Sequence, residues 1–299
     1  MLLFDRSLVQ HHRNRAADNF ENHDFLIHHI AQEIAERLTG IGRTFASGLD
    51  LGSHQGALVG HPLLAEKVDT FFQCDLSPKM IAKAHGPRFA ADEERLPVAE
   101  GSLNLVTSVL SLHWTNDLPG ALIQINRSLK PDGLFLGAVL GGSTLHELRT
   151  SLSEAEVELE GGLSPRVSPM VDLRDAGSLL QRAGFGLPVT DSEPITVRYK
   201  SPFHLMRELR GMGETNAVLD RRKTPLRRKT LLRAVEIYQE KFGLEDGRIP
   251  ATFEVIYLTG WAPHESQQKP LAPGSARTRL ADALKVPEQS AGEKSSGSM

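Results

Sequence analysis

Between residues 45 and 140 short apolar stretches alternate with segments that carry helix caps or helical apolar spacing, and this rhythm restricts the fold more than any other feature. The spacing predicts strands over 45–51, 70–74, 88–91, 103–110 and 134–140. Between them, residues 57–65 read as a helix weakened by Gly60 and Pro62. Ser77 and Pro78 open a second helix that ends at Gly86, and Asp117 caps a third that ends in the turn Lys130-Pro131-Asp132-Gly133. Strands alternating with helices at this pitch predict an α/β fold with a doubly wound, mainly parallel sheet covered on both faces.

Flanking segments follow other patterns. Leu26, Ile30, Ile34 and Leu38 recur every four residues and predict a helix over 24–39, within an N-terminal helical segment of residues 1–44. After residue 140 the pattern turns mostly helical, over 144–160, 172–183 and parts of 202–242, with strands at 195–199 and 253–261. Residues 141–263 therefore read as a helical lid and closing strands on a core of residues 45–140. Residues 264–299 contain no aromatic residue and end in a Ser- and Gly-rich run, so most of this tail is expected to be disordered.

Thirty-four basic residues against 37 acidic ones leave a net charge of -3, which provides no bulk attraction for nucleic acid or an anionic membrane. Cys74 stands alone, which excludes an intrachain disulfide and fits a reducing compartment. The chain lacks both a signal-peptide core and a continuous apolar run of roughly 18 residues. Arg6, Arg13 and Arg15 would suit a transit peptide, but Asp5 and Asp18 interrupt the segment. The expected location is the bacterial cytoplasm rather than the mitochondrial matrix, with no membrane span.

Chemistry concentrates at the strand ends. Asp50 is followed by Gly52 and Gly56, which omit Cβ atoms where a ligand approaches the backbone; an ordinary tight turn with an acid would also account for them. Asp75 lies at the end of the second strand, 25 residues after Asp50, where doubly wound folds place an acid on ribose hydroxyls; it would equally precede a helix as part of its cap. Asp92 and Glu93 form an acidic turn after the third strand. Three successive loops with an acid at the strand end are hard to reconcile with surface decoration alone.

The segments LDLGSHQG, CDLSPKM, ADEERLP, LNLVTSVLSLHW and LKPDG resemble the class I S-adenosylmethionine-dependent methyltransferases, including the subgroup of malonyl-carrier-protein O-methyltransferases. FDR, SLHWTNDLP, GGSTLHELR, GGLSPRVSP, LMRELRGMGETNA and IPATFEVIYLTGWAPHESQQKP narrow the resemblance to the group of mitochondrial complex I assembly factors that act as protein arginine hydroxylases, with their bacterial relatives. The resemblance implies a Rossmann-like sheet with a helical lid insertion and an antiparallel closing strand. It implies S-adenosylmethionine as cofactor, with Asp50, Gly52 and Gly56 at its methionine part, Asp75 and neighbouring Leu76 at the ribose, Asp92 at the adenine, and Glu93 and Ser111 as further contacts. His54 departs from the pattern, replacing the middle glycine of the loop, where its side chain would crowd or re-aim the backbone.

His113 and Trp114 follow the fourth strand, where they could act as base or orienting donor and as an aromatic wall, or equally form a buried strand-end pair. Glu147 and Arg149 could meet a charged substrate or simply share a helix face. Gly211 to Asn216 read as a lid hinge or a helix break, and the basic run 221–229 as a dock for an acidic partner or a solvated loop. The twelve histidines contain no metal signature, so no metal site is expected. The expected function is that of an S-adenosylmethionine-dependent methyltransferase-fold enzyme acting on a protein or carrier-bound client in complex I assembly. Arginine hydroxylation of a complex I subunit, O-methylation of a malonyl group on acyl carrier protein, and a non-catalytic assembly chaperone are the alternatives.

Overall fold

A computed structural model describes residues 2–268, 275 and 278–287. In chain order its elements are α1 (Arg6–Ala16), α2 (Phe25–Thr39), β1 (Phe45–Leu51), β2 (Val68–Asp75), α3 (Pro78–Ile81), β3 (Arg88–Ala90), β4 (Leu103–Val109), α4 (Leu118–Ser128) and β5 (Leu129–Leu140). Then follow α5 (His146–Glu160), α6 (Leu173–Arg182), β6 (Gly186–Tyr199), α7 (Pro202–Gly211), α8 (Arg228–Phe242) and β7 (Ile249–Trp261). These belong to a unit of residues 1–264. A second unit, 265–299, contains the five-residue helix α9 (Leu280–Leu284). The expected disorder of the tail concerns mainly residues outside those described.

The sheet runs β3-β2-β1-β4-β5-β7-β6, parallel from β3 to β5, with β7 antiparallel to both β5 and β6. Alternation along β5 sends Leu134, Leu136, Ala138 and Leu140 into one apolar layer with α2, α5 and α8. Phe135 and Val139 enter the other layer with α4 and α6. Burial on both faces explains why the central strands read as near-continuous apolar runs.

Two segments depart from the sequence reading. Residues 57–65 form turns with one short 3-10 segment at Pro62–Leu64 in place of an α-helix, because Gly60 and Pro62 break the ladder and the His61 ring caps the turn instead. β6 begins at Gly186, nine residues before the expected strand, because it is an edge strand that tolerates Pro194 and leaves alternate residues half-exposed. Within residues 1–44, which the sequence reads as a helical segment, α1 spans Arg6–Ala16, a helix whose low apolar content gave it no bounds of its own in the sequence. Among the described residues no helix is long and apolar enough to cross a membrane.

Candidate functional site

The ends of β1, β2 and β4 converge on a buried cluster of acids and glycines. Gly52 and Ser53 donate their N–H groups to Cys74 O at 2.8 and 2.9 Å, which ties the loop after β1 to the end of β2. Gly52 has φ +72°, and a Cβ there would lie 2.0 Å from Ser111 Oγ. Gly56 has φ +85°, and its Cβ would lie 2.3 Å from Gln73 Oε1. Both positions therefore need glycine for conformation and for space. Gly52→Ala should lower unfolding free energy by about 1–3 kcal/mol in urea titration, as expected for an overpacked buried site.

Asp50 is buried and accepts from Thr107 Oγ1 at 2.7 Å, while its Oδ2 is buried without a partner. Burial pushes the Asp50 carboxyl up to about 7 against the opposing effect of the Thr107 bond. Asp75 accepts from Ser77 N at 2.7 Å on one oxygen, and from His54 N at 3.0 Å and Arg13 Nη1 at 3.3 Å on the other. Leu76, beside it, is buried against Phe4, Val9 and Trp114.

Glu93 is the buried acid of the third loop. It accepts from Ser111 Oγ at 2.6 Å, from Arg13 Nη1 at 3.1 Å, and from Arg6. Burial opposes its ionisation, but the guanidiniums of Arg13 and Arg6 outweigh that and hold the carboxyl down to about 2. Asp92 is more exposed and accepts from Arg6 Nη2 at 2.6 Å and Glu94 N at 2.9 Å. The sequence places Arg6 in the FDR motif and sets Arg6 and Arg13 in a transit-like segment, and nothing in it announces their contact with the strand-end acids. Residues 6, 10, 13 and 14 share one face of α1. From it Gln10 Nε2 donates to Leu76 O at 2.8 Å, Arg13 Nη2 to Ser111 Oγ at 2.9 Å, and Ser77 Oγ donates to Asn14 Oδ1 at 2.7 Å.

Next to this cluster lies a cavity of about 410 Å³ with predominantly apolar walls from α2, α5, α7 and β7. His54, from the loop after β1, is part of its wall, as are His113, Trp114 and Glu214. His54 resolves the crowding expected at its position by taking φ +52° and burying its ring against Phe20, with centroids 5.6 Å apart and planes 13° from parallel. Its Nε2 lies 3.2 Å from Val109 O, and burial holds the imidazole below its ordinary range. Leu110 and Leu145, at φ +47° and +53°, also line the cavity. Three of the six described non-glycine residues with positive φ thus meet at one cavity, the kind of place where backbone strain marks function.

His113 and Trp114 occupy a 3-10 turn after β4, and both reach Glu214 Oε2, from Nε2 at 3.1 Å and Nε1 at 2.8 Å. Glu214 lies in the Gly211–Asn216 segment, which sequence reasoning treated only as a hinge or a break. Glu147 and Arg149 do not line the cavity. Glu147 is buried, accepting from Thr252 Oγ1 at 2.6 Å and Thr252 N at 3.2 Å, and Arg149 donates to Gly142 O and Thr144 O at 2.8 and 2.7 Å. Both side chains fasten the start of α5.

Comparison with known proteins fits this geometry. A family profile described as "Methyltransferase domain" matches residues 49–137. The arginine-hydroxylase NDUFAF5 of Danio rerio, a mitochondrial protein, is 42% identical over 293 residues, covering 96% of this chain and 91% of its own. The chain belongs to the methyltransferase-fold family of these arginine hydroxylases. A more distant relative in the same fold, the malonyl-[acyl-carrier protein] O-methyltransferase of Laribacter hongkongensis, is 32% identical over 286 residues, covering 90% of this chain and 94% of its own. Among solved structures, the YcgJ protein of Bacillus subtilis superposes with a TM-score of 0.55 at 14% identity, covering 78% of this chain and 99% of its own, a likeness of fold.

The methyltransferase domain implies S-adenosylmethionine as cofactor, and the buried strand-end acids have the acceptor chemistry its donors require. Asp50 Oδ2 is an unspent buried acceptor for an ammonium or hydroxyl donor. A carboxylate has about four acceptor positions, and three donors reach Asp75, which leaves one on the oxygen bound by Ser77. Asp50 and Asp75 would hold the cofactor's donors, with Glu93 and Ser111 behind them.

Proposed function

We propose that this chain is an S-adenosylmethionine-binding enzyme that modifies an arginine-bearing protein client during assembly of respiratory complex I, a reading in keeping with relatives named as arginine hydroxylases. The observation that carries this reading is the shared wall: His54 stands on the cofactor loop and in the cavity, so a bound cofactor and a client side chain would meet there. The strained backbone at His54, Leu110 and Leu145 supports the same location. The higher identity to the hydroxylases than to the carrier-protein methyltransferases favours a protein client.

A second reading, methylation of a malonyl group on acyl carrier protein, draws on the exposed basic residues Lys223, Arg227, Arg228 and Lys229, which suit an acidic partner. Subunits of complex I purified from a deletion strain separate the two. A lost oxygen on an arginine supports the first reading, a lost methyl group on the same subunit would make the chemistry methyl transfer, and an unaltered subunit with a biotin requirement would transfer support to the carrier reading. Calorimetry with S-adenosylhomocysteine tests the cofactor step, where Asp75→Asn should weaken binding about tenfold by removing a charged acceptor.

A further inference from the structure

The acids that would receive the cofactor are covered by the chain's own first helix. Arg13, Asp75 and Ser111 are 0% exposed and Asp50 and Glu93 are 1% exposed, so a ligand from solvent cannot reach them while α1 is in place. α1 also spends their acceptors. Asp75 Oδ2 takes His54 N at 3.0 Å and Arg13 Nη1 at 3.3 Å, and Glu93 Oε1 takes Ser111 Oγ at 2.6 Å and Arg13 Nη1 at 3.1 Å. A carboxylate oxygen offers about two acceptor positions, so Arg13 fills the last one on each. A ribose presents two vicinal hydroxyls, and a carboxylate that receives one on each oxygen needs Oδ2 as well as Oδ1. Asp75 can offer both only when Arg13 has left.

The attachment of α1 is mostly polar. Of its side chains Val9, His12, Arg13 and Ala16 are buried, and two of these four are polar. Ahead of the helix, Phe4 forms a single antiparallel bridge with Val218, and Leu3 N and Phe4 N both donate to Asn116 Oδ1 at 2.7 Å. On its outer side His12 Nδ1 lies 2.9 Å from Thr215 O, and Arg15 Nη2 donates to Thr215 Oγ1 at 3.0 Å. Water can replace contacts of this kind at small net cost. Withdrawal of α1 also brings Arg13 and its two acids to water together, so no charge is left buried alone, unlike the deletion of one partner.

We propose that α1 is an internal occupant of the cofactor site: Arg13 stands on Asp75 and Glu93 in the free protein, Arg13 and the cofactor exclude one another, and entry requires α1 to withdraw with its clasp at Phe4 released. The inference rests on the reading that this chain binds S-adenosylmethionine and adds how the site is shut and opened. The cover reaches a second site. Glu214, Thr215 and Asn216 line the apolar cavity, and Thr215 is also the outer holding point of α1, so release of the helix frees part of the cavity wall.

The test locks the clasp in the full chain with the double variant Phe4→Cys, Val218→Cys. Asp5 N donates to Ala217 O and Leu219 N to Leu3 O, so residues 4 and 218 are a non-hydrogen-bonded antiparallel pair. Such pairs have Cα atoms about 4.5 Å apart, within disulfide range. Cys74 is buried, away from this exchange. Calorimetry with S-adenosylhomocysteine as the probe should give binding at least about tenfold weaker in the oxidised form than in the same protein reduced, because the open state is withheld. In the wild type, hydrogen exchange of the amides of residues 6–16 should speed up when the probe is added. Equal binding in the two redox forms would overturn the proposal and leave the cofactor reading standing. Probe binding to the wild type with unchanged or slowed exchange in 6–16 would overturn it as well, and this arm needs no variant to fold. Absence of binding to both the wild type and the reduced variant would remove the cofactor reading and the cover with it.

Discussion

Arg13→Met should lower the unfolding free energy by about 3–5 kcal/mol, the usual cost of removing one partner from a buried ion network. The guanidinium of Arg13 is fully buried and is the counter-ion shared by Asp75 and Glu93. Methionine fills similar volume without charge, so the loss reports the stranded acids rather than a void. The sign of its pH dependence follows from Glu93. Its carboxyl is depressed to about 2 when folded, so its contribution is present above an unfolded value of about 4.3 and disappears as pH falls through 2. The deficit of Arg13→Met should therefore be largest above about pH 5 and shrink on acidification. Adding Glu93→Gln should recover part of it, because the two residues are in one network. Urea unfolding of the single and double variants measures both, and a single-variant loss under about 1 kcal/mol would contradict the network's importance.

Binding of S-adenosylhomocysteine should strengthen by nearly tenfold per pH unit between about pH 5 and 7, about a hundredfold in all, and level off above. The cause is Asp50. Burial raises its carboxyl to about 7, with the negative charge of Asp75 contributing in the same direction, so the group is mostly protonated below that pH. A ligand ammonium donating to Oδ2 needs the carboxylate, and binding there must expel a proton. Calorimetry in buffers of different ionisation enthalpy should detect that proton, and Asp50→Asn should flatten the profile while weakening binding above pH 7. In the absence of ligand the sign is opposite. A raised Asp pKa means the folded state holds a proton that the unfolded state releases above about 4, so stability falls between about pH 4 and 7 by up to roughly 4 kcal/mol from this group. His12, lowered to about 4 chiefly by burial, works against that loss between about 4 and 6.5, which is why Asp50→Asn is the needed comparison.

The sheet was legible because its strands obey two simple rules, apolar runs where both faces are covered and an acid or glycine where a strand ends. The strand-end acids Asp50, Asp75 and Glu93 came with it, since those ends meet wherever the strands are parallel neighbours. The role of Arg13 was illegible because arginine is rarely fully buried, and nothing in one sequence announces that a helix turns its polar face toward acids 62 and 80 residues away. Glu214 was hidden for a related reason: its partners His113 and Trp114 lie about a hundred residues earlier, and only the packed structure brings them into one wall. The 57–65 segment failed differently, because its apolar content outweighed a Gly and a Pro that in the folded chain decide the local backbone.

The placement of β7 also sets an order of events in time. Among the described residues β6 pairs only with β7, and the open edge of β5 is filled only by β7, so neither edge finds this partner before residues 249–261 leave the ribosome. During synthesis the five parallel strands can assemble with α4, while Leu134 to Leu140 wait with one side unpaired. Completion then depends on a pairing with more than a hundred intervening residues, a slow step by the logic of loop closure. A nascent chain of this protein can therefore bring the strand-end acids together before the sheet is closed.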